Sequence, residues 1–146
     1  MITSHILQAR VEDMERRVRP RPQRVLVVDD VAEIRELWRL WLTFWGFSVQ
    51  EARNGAEAVE KAVAAPPDLV LMDLWMPVLD GLQAMKQLRG DVRTAHIPVV
   101  ALSAQGVVPN AEAAAQAGAT MFVQKPCEPD ELLGHIRTAF ARLGVH

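Results

Sequence analysis

Residues 69–81 read Leu-Val-Leu-Met-Asp-Leu-Trp-Met-Pro-Val-Leu-Asp-Gly. The first four form an unbroken apolar run, the pattern of a short strand buried on both faces. Asp73 follows at its carboxyl end. Pro77 forbids a simple continuation, and Asp80-Gly81 is a turn signal ahead of the next helical pattern. An acid at the carboxyl end of a parallel strand lies in the crevice where open α/β sheets bind ligands. Asp73 is therefore the candidate reactive group.

Outward from that stretch, strand and helix patterns alternate. Arg24 to Val28 is a β-branched run that ends in Asp29-Asp30. A helical pattern spans Val31 to Trp45 and stops at Gly46. Phe47 to Glu51 reads as a second strand, Asn54-Gly55 as a turn, and Ala56 to Ala64 as a helix ended by Pro66-Pro67. Beyond Asp73 come a helix over Leu82 to Leu88 and a strand over Ile97 to Leu102 that leads into Ser103-Ala104. An alanine-rich helix over Asn110 to Ala117 stops at Gly118. Thr120 to Gln124 is a fifth strand leading into Lys125-Pro126, and a last helix runs from Glu128-Pro129-Asp130 to about Leu143. Connections too long for hairpins make this an α/β chain with a doubly wound five-stranded parallel sheet.

Residues 1–23 stand apart as an N-terminal helical extension, with 24–146 as the folded domain. Leu7, Val11, Met14 and Val18 recur at heptad-like steps between charged residues, an amphipathic helix too short to stand alone. Arg19-Pro20-Arg21-Pro22 reads as an extended linker. The helix is expected to dock, to dimerise or to fray.

Half of the 146 residues are apolar, 23% are charged and the net charge is −2, which gives no electrostatic reason to expect nucleic acid or an anionic membrane. The single Cys127 rules out an internal disulfide and suits a reducing cytosol. No apolar run approaches the roughly 20 residues of a membrane span, and there is no signal-peptide block. A cytoplasmic protein without membrane or direct DNA contact is expected. His5, His96, His135 and His146 lack metal-ligand spacing, so no zinc site is expected.

In a parallel sheet all carboxyl ends share one edge, so Asp29, Asp30, Asp73, Ser103 and Lys125 converge. Clustered carboxylates raise one another's pKa unless a cation neutralises them. Oxygen-only ligands suit Mg²⁺. The metal and Lys125 together would seat a phosphoryl group beside Asp73, the arrangement of a carboxylate that forms an aspartyl-phosphate. Singly, each feature has a plainer use: Asp30, for instance, could simply cap the helix that follows.

Asp29-Asp30, Asp73 with Met76-Pro77 and Asp80-Gly81, Ser103-Ala104 and Lys125-Pro126 together resemble the receiver domain of two-component response regulators (CheY-like), over about Arg24 to Leu143. The resemblance implies the flavodoxin-like strand order 2-1-3-4-5. It implies Asp73 as phosphoacceptor, and Asp30, Asp73 and the Trp75 backbone carbonyl as the Mg²⁺ site, with Asp29 acting through water. Lys125, followed in the family by a cis peptide to proline, resembles the phosphate-pairing lysine. Ser103 and Ala104 resemble the phosphate-contacting pair after strand four, Ser103 and Phe122 the switch residues. The donor would be a phosphohistidine on a sensor histidine kinase or a histidine phosphotransfer protein.

Two features depart from the ordinary pattern. On the first helix of the domain, Ile34, Leu37, Trp38, Trp41, Leu42 and Trp45 form a stripe expected to face the sheet, while Leu40 and Phe44 add apolar surface elsewhere. Ile34, Leu37, Leu40 and Phe44, with Pro126, are candidate docking residues, either for the phosphodonor or for a homodimer through this helix or the N-terminal one. Trp75, two residues after Asp73, is placed to border the phosphoryl site. The expected function is a phosphorylation switch, not an enzyme beyond slow self-dephosphorylation. With no room left after Leu143 for a DNA-binding unit, a stand-alone regulator acting on a downstream protein target is expected. A receiver cut from a hybrid histidine kinase, an aspartyl phosphohydrolase and a structural dimer that never carries phosphate are the alternatives. The phosphohydrolase needs a second acid just beyond the nucleophile, and Leu74, Trp75 and Met76 supply none.

Overall fold

The apolar runs become the strands of one parallel sheet in order β2-β1-β3-β4-β5. In this computed structural model residues 4–11, 21–76, 80–104 and 111–142 are described. The strands are β1 (Arg24–Val28), β2 (Ser48–Ala52), β3 (Leu69–Asp73), β4 (Val99–Ala104) and β5 (Met121–Lys125). Residues 4–11 form helix α1. The others are α2 (Ala32–Phe44), α3 (Gly55–Ala64), α4 (Gly81–Gly90), α5 (Ala111–Ala117) and α6 (Pro129–Arg142). This is the doubly wound, flavodoxin-like topology, with β1 and β3 adjacent and every pairing parallel.

Strand periodicity sorts the core into two layers. Leu26, Val28, Val70, Met72, Val99 and Ala101 face α3, α4 and α5, where Ala58, Ala62, Ala84, Met85, Leu88, Ala114 and Ala117 meet them. Their neighbours Val25, Val27, Leu69, Leu71, Val100 and Leu102 face α2 and α6, against Trp38, Leu42, Leu132, Ile136, Ala139 and Phe140. Every residue of β3 is buried, as its unbroken apolar run requires. Each fully buried leucine here contributes about 1.5–3 kcal/mol relative to exposure.

Caps and pairing set the element ends. Asn54 reads as a turn residue in the sequence; in the fold its side chain accepts from the Glu57 N–H at 2.8 Å, so α3 begins one residue earlier, at Gly55. Asp80 caps α4 likewise, accepting from the Gln83 N–H at 2.8 Å. β4 runs on through Ser103 and Ala104, because these two pair with Gln124 and Lys125 of β5.

One assignment on α2 is corrected. Trp38 and Leu42 are buried against the sheet, and Ile34, Trp41 and Trp45 pack at the layer's margin, but Leu37 is 49% exposed. A helix lying on a sheet buries a narrow line of i and i+4 positions, and Leu37 falls beside that line. It joins Leu40 and Phe44, both exposed, on the outer face. In α1 the side chains of Ile6, Leu7 and Val11 are exposed, so its described part buries no apolar stripe. Met14, Val18, Pro77, Asn110 and Leu143 lie outside the described residues.

Candidate functional site

Asp29, Asp30 and Asp73 each bring a carboxylate oxygen to one place, all within 4.8 Å of one another. Asp29 follows β1 and is buried. Its N–H donates to the Ala52 carbonyl (3.1 Å), which keeps it in line with β2, and its Oδ1 accepts from the Val31 N–H at 2.9 Å. Asp73 ends β3 at 7% exposure, its Oδ1 accepting from the Trp75 N–H at 3.1 Å. Asp30 is exposed, and the residue in the cap position of α2 is Val31, with no side-chain cap bond. Helix capping therefore does not account for Asp30.

Lys125 reaches across from the end of β5. Its Nζ lies 3.5 Å from Asp29 Oδ2 and 3.7 Å from Asp73 Oδ2, bridging the two buried acids. That cation does not balance the cluster. Burial pushes Asp73 up to about 6; Lys125 and the Trp75 N–H pull it down, and the Asp29 and Asp30 charges push it up again. Three hard oxygen donors around one point, with the negative charge in excess, fit a divalent cation.

Ser103 is buried and Ala104 exposed at the end of β4. Asp73 pairs with Leu102 in register, and the Leu74 N–H donates to the Leu102 carbonyl at 2.9 Å, so these β4 residues adjoin the acid. Phe122 is half-buried against the α3–α5 layer, three positions before Lys125. The Lys125-Pro126 peptide is cis, as the resemblance implies, and Pro126 is exposed. Trp75 presents a 67% exposed side chain beside the site. The α2 side chains Ile34, Leu37, Leu40 and Phe44 belong to the helix that follows Asp30 and are not part of the acidic cluster. Burial, then Glu131 and Glu128, push the Cys127 thiol up, away from the thiolate form.

Two residues that support the site escape a sequence reading. Arg35 on α2 donates from Nη1 to the Asp29 carbonyl at 2.8 Å. The only hint is a basic residue amid an apolar helix, a few positions after the acidic pair. Gly81, read as half of a turn signal, opens α4 so close to β3 that a Cβ would sit 2.6 Å from the Asp73 carbonyl oxygen and 2.7 Å from the Leu74 Cα.

The response regulator receiver domain family matches residues 25–137. The chain belongs to this family. Response regulator MprA of Mycolicibacterium vanbaalenii is 40% identical over 123 residues, which are 83% of this chain and 52% of MprA. The DNA-binding dual master transcriptional regulator RpaA of Synechocystis is 35% identical over 119 residues, 82% of this chain and 49% of RpaA. The chemotaxis response regulator CheY4 of Vibrio cholerae, a solved structure, superposes with a TM-score of 0.75 at 30% identity, covering 81% of this chain and 98% of CheY4. This receiver thus spans about half the length of the curated relatives it matches. Receiver domains are signalling switches rather than turnover enzymes, which sets the phosphohydrolase alternative aside.

The expectation of no direct DNA binding is corrected by the same comparison. RpaA carries DNA binding in its very name, and the charge of a receiver alone says nothing about the output of a longer protein. Among the described residues no helix is long and apolar enough to cross a membrane.

Proposed function

We propose that this receiver is a phosphoacceptor switch in which Asp73 takes a phosphoryl group from a phosphohistidine donor, a kinase or a phosphotransfer protein of the cytoplasm. The receiver unit is 24–146, and 1–23 is a separate N-terminal segment. The observation that carries the reading is the meeting of Asp29, Asp30 and Asp73 with Lys125 at one edge of the sheet. Asp29, Asp30, Asp73 and the Trp75 backbone carbonyl would hold Mg²⁺, with Asp29 acting through water. Bound there, the ion supplies positive charge against the phosphoryl oxygens.

The remaining steps belong to the chain itself. An ionised Asp73 oxygen attacks phosphorus as the P–N bond to the donor imidazole breaks; the leaving nitrogen takes a proton from water. Lys125 pairs with a phosphoryl oxygen, and Ser103 and the Ala104 backbone contact another. Ser103 and Phe122 shift together and pass the change to α5, β5 and α6. In α5 only Ala114 and Ala117 are buried, which suits a helix that moves at low cost. Ile34, Leu37, Leu40, Phe44 and Pro126 form the surface that meets the donor.

Incubation with acetyl phosphate and Mg²⁺, followed by mass analysis of peptides, tests the reading. A single adduct on Asp73 is expected, and no adduct, or one elsewhere, overturns it. Trp75 sets how long the adduct lasts, its indole limiting the approach of water. Trp75→Asn is expected to speed loss of the phosphoryl group several-fold in a decay time course; an unchanged rate removes Trp75 from the mechanism.

A further inference from the structure

Asp29 is held on three sides, and the third hold comes from outside the strand ends. Its N–H is fixed by Ala52 and its carboxylate by Val31, while its carbonyl accepts from Arg35 Nη1 at 2.8 Å. That carbonyl belongs to the peptide plane that joins Asp29 to Asp30. Turning the plane turns the direction in which the Asp30 side chain leaves the backbone. The Asp30 carboxylate is exposed and does not cap α2, so it gains no fixed direction from the helix.

We propose that Arg35 is a positioning residue for the metal half of the site, aiming Asp30 through the Asp29–Asp30 peptide. The proposal rests on the Mg²⁺ reading given above. Arg35 is itself anchored: its Nε lies 3.6 Å from Glu51 Oε1, and the Lys61 ammonium donates to the Glu51 carbonyl at 2.5 Å. A guanidinium engages a carbonyl with one arm and a carboxylate with another, which a lysine ammonium on a flexible stem does not reproduce. The geometry thus runs from α3 and β2, through Glu51 and Arg35, to the pair of acids after β1.

Charge and position predict opposite signs. As a nearby positive charge, Arg35 repels a divalent cation, so its removal would tighten Mg²⁺ binding. As the group that aims Asp30, its removal weakens binding. Residues that orient metal ligands typically carry ten- to a hundredfold in affinity, and the effect here acts on one ligand through a backbone, so about tenfold is expected.

Isothermal titration of Mg²⁺ into the whole chain, for the parent, Arg35→Gln, Arg35→Lys and Glu51→Gln, decides the matter, with circular dichroism confirming the fold. Arg35→Gln is expected to raise the Mg²⁺ dissociation constant about tenfold and Arg35→Lys to fall short of restoring it. The acetyl phosphate labelling rate at saturating Mg²⁺ is expected to return to the parent value, a split that a general loosening of the fold would not give. Affinity within twofold of the parent, or tighter, in Arg35→Gln overturns the proposal. Should that variant fail to fold, Glu51→Gln carries the test: a weakening of about threefold supports it and an unchanged constant overturns it. A parent that binds no Mg²⁺ brings down the metal reading itself, an outcome distinct from failure of the Arg35 role alone.

Discussion

An Asp73→Asn variant is expected to take up no phosphoryl group from acetyl phosphate, yet to be more stable than the parent at pH 7.5 without divalent ions. The loss of labelling follows from removing the nucleophile. The gain in stability follows from burial. Asp73 is 7% exposed and its carboxyl is pushed up to about 6, burial outweighing the help of Lys125 and the Trp75 N–H. In the unfolded chain the same group titrates near pH 3.9. The folded state therefore binds the proton more tightly, and the stability this lends is complete below about pH 4 and lost as pH rises through about 6. A rise to about 6 corresponds to roughly 3 kcal/mol at most. The neutral amide avoids that cost, so a stabilisation of about 1–3 kcal/mol is expected in urea unfolding at pH 7.5 with chelator, shrinking toward zero near pH 4. Mg²⁺ should then raise the midpoint of the parent and leave that of the variant nearly unmoved. An Asp73→Asn protein less stable than the parent at pH 7.5 would mean that the Lys125 pairing and the Trp75 hydrogen bond outweigh burial.

What could be read in advance divides along a physical line. Strands β1, β3 and β4 announce themselves as apolar runs because both of their faces are covered, and the acids and lysine at strand ends stand out because such groups are rarely buried. The strand order came through the resemblance, since periodicity alone does not say which strands are neighbours. Helical periodicity marks a wide arc that takes in Leu37, whereas the sheet buries only the line through Trp38 and Leu42. The residues that went unseen act on backbone atoms, which carry no sequence identity. Arg35 binds the Asp29 carbonyl. Arg89, whose pKa burial lowers, grips the Gly118 carbonyl with Nε and Nη2 at 3.0 and 2.7 Å and the Ala95 carbonyl with Nη1 at 3.0 Å. A carbonyl acceptor is the same in every residue, so neither contact leaves a mark in the sequence, and even the Glu51 carboxylate near Arg35 is brought there only by the fold. The DNA expectation failed for another reason: the charge balance of one unit does not constrain what a longer protein of the family does.

Gly81→Ala makes the backbone argument measurable, because two ordinary effects oppose each other at this position. Alanine is the better helix former, by about 1 kcal/mol over glycine in a helix interior and less at the first position of α4. Against that, the added Cβ would lie 2.6 Å from the Asp73 carbonyl oxygen, 2.7 Å from the Leu74 Cα and 3.0 Å from the Leu74 Cδ2. The first two are backbone atoms of a fully buried central strand and its exit, where Leu74 N–H is tied to the Leu102 carbonyl at 2.9 Å. They have no rotamer by which to step aside. Overpacking of this kind costs about 1–3 kcal/mol, and more where backbone must move, so the steric effect wins and a net loss of about 2 kcal/mol is expected in urea unfolding. The strain falls on the peptide that carries Asp73, so the rate of labelling by acetyl phosphate should fall at least tenfold at saturating Mg²⁺, a larger drop than the stability loss explains in a chain that remains mostly folded. A Gly81→Ala protein with parental stability and labelling would show that the start of α4 can retreat from β3, and that the close approach at Gly81 is not what holds Asp73 in place.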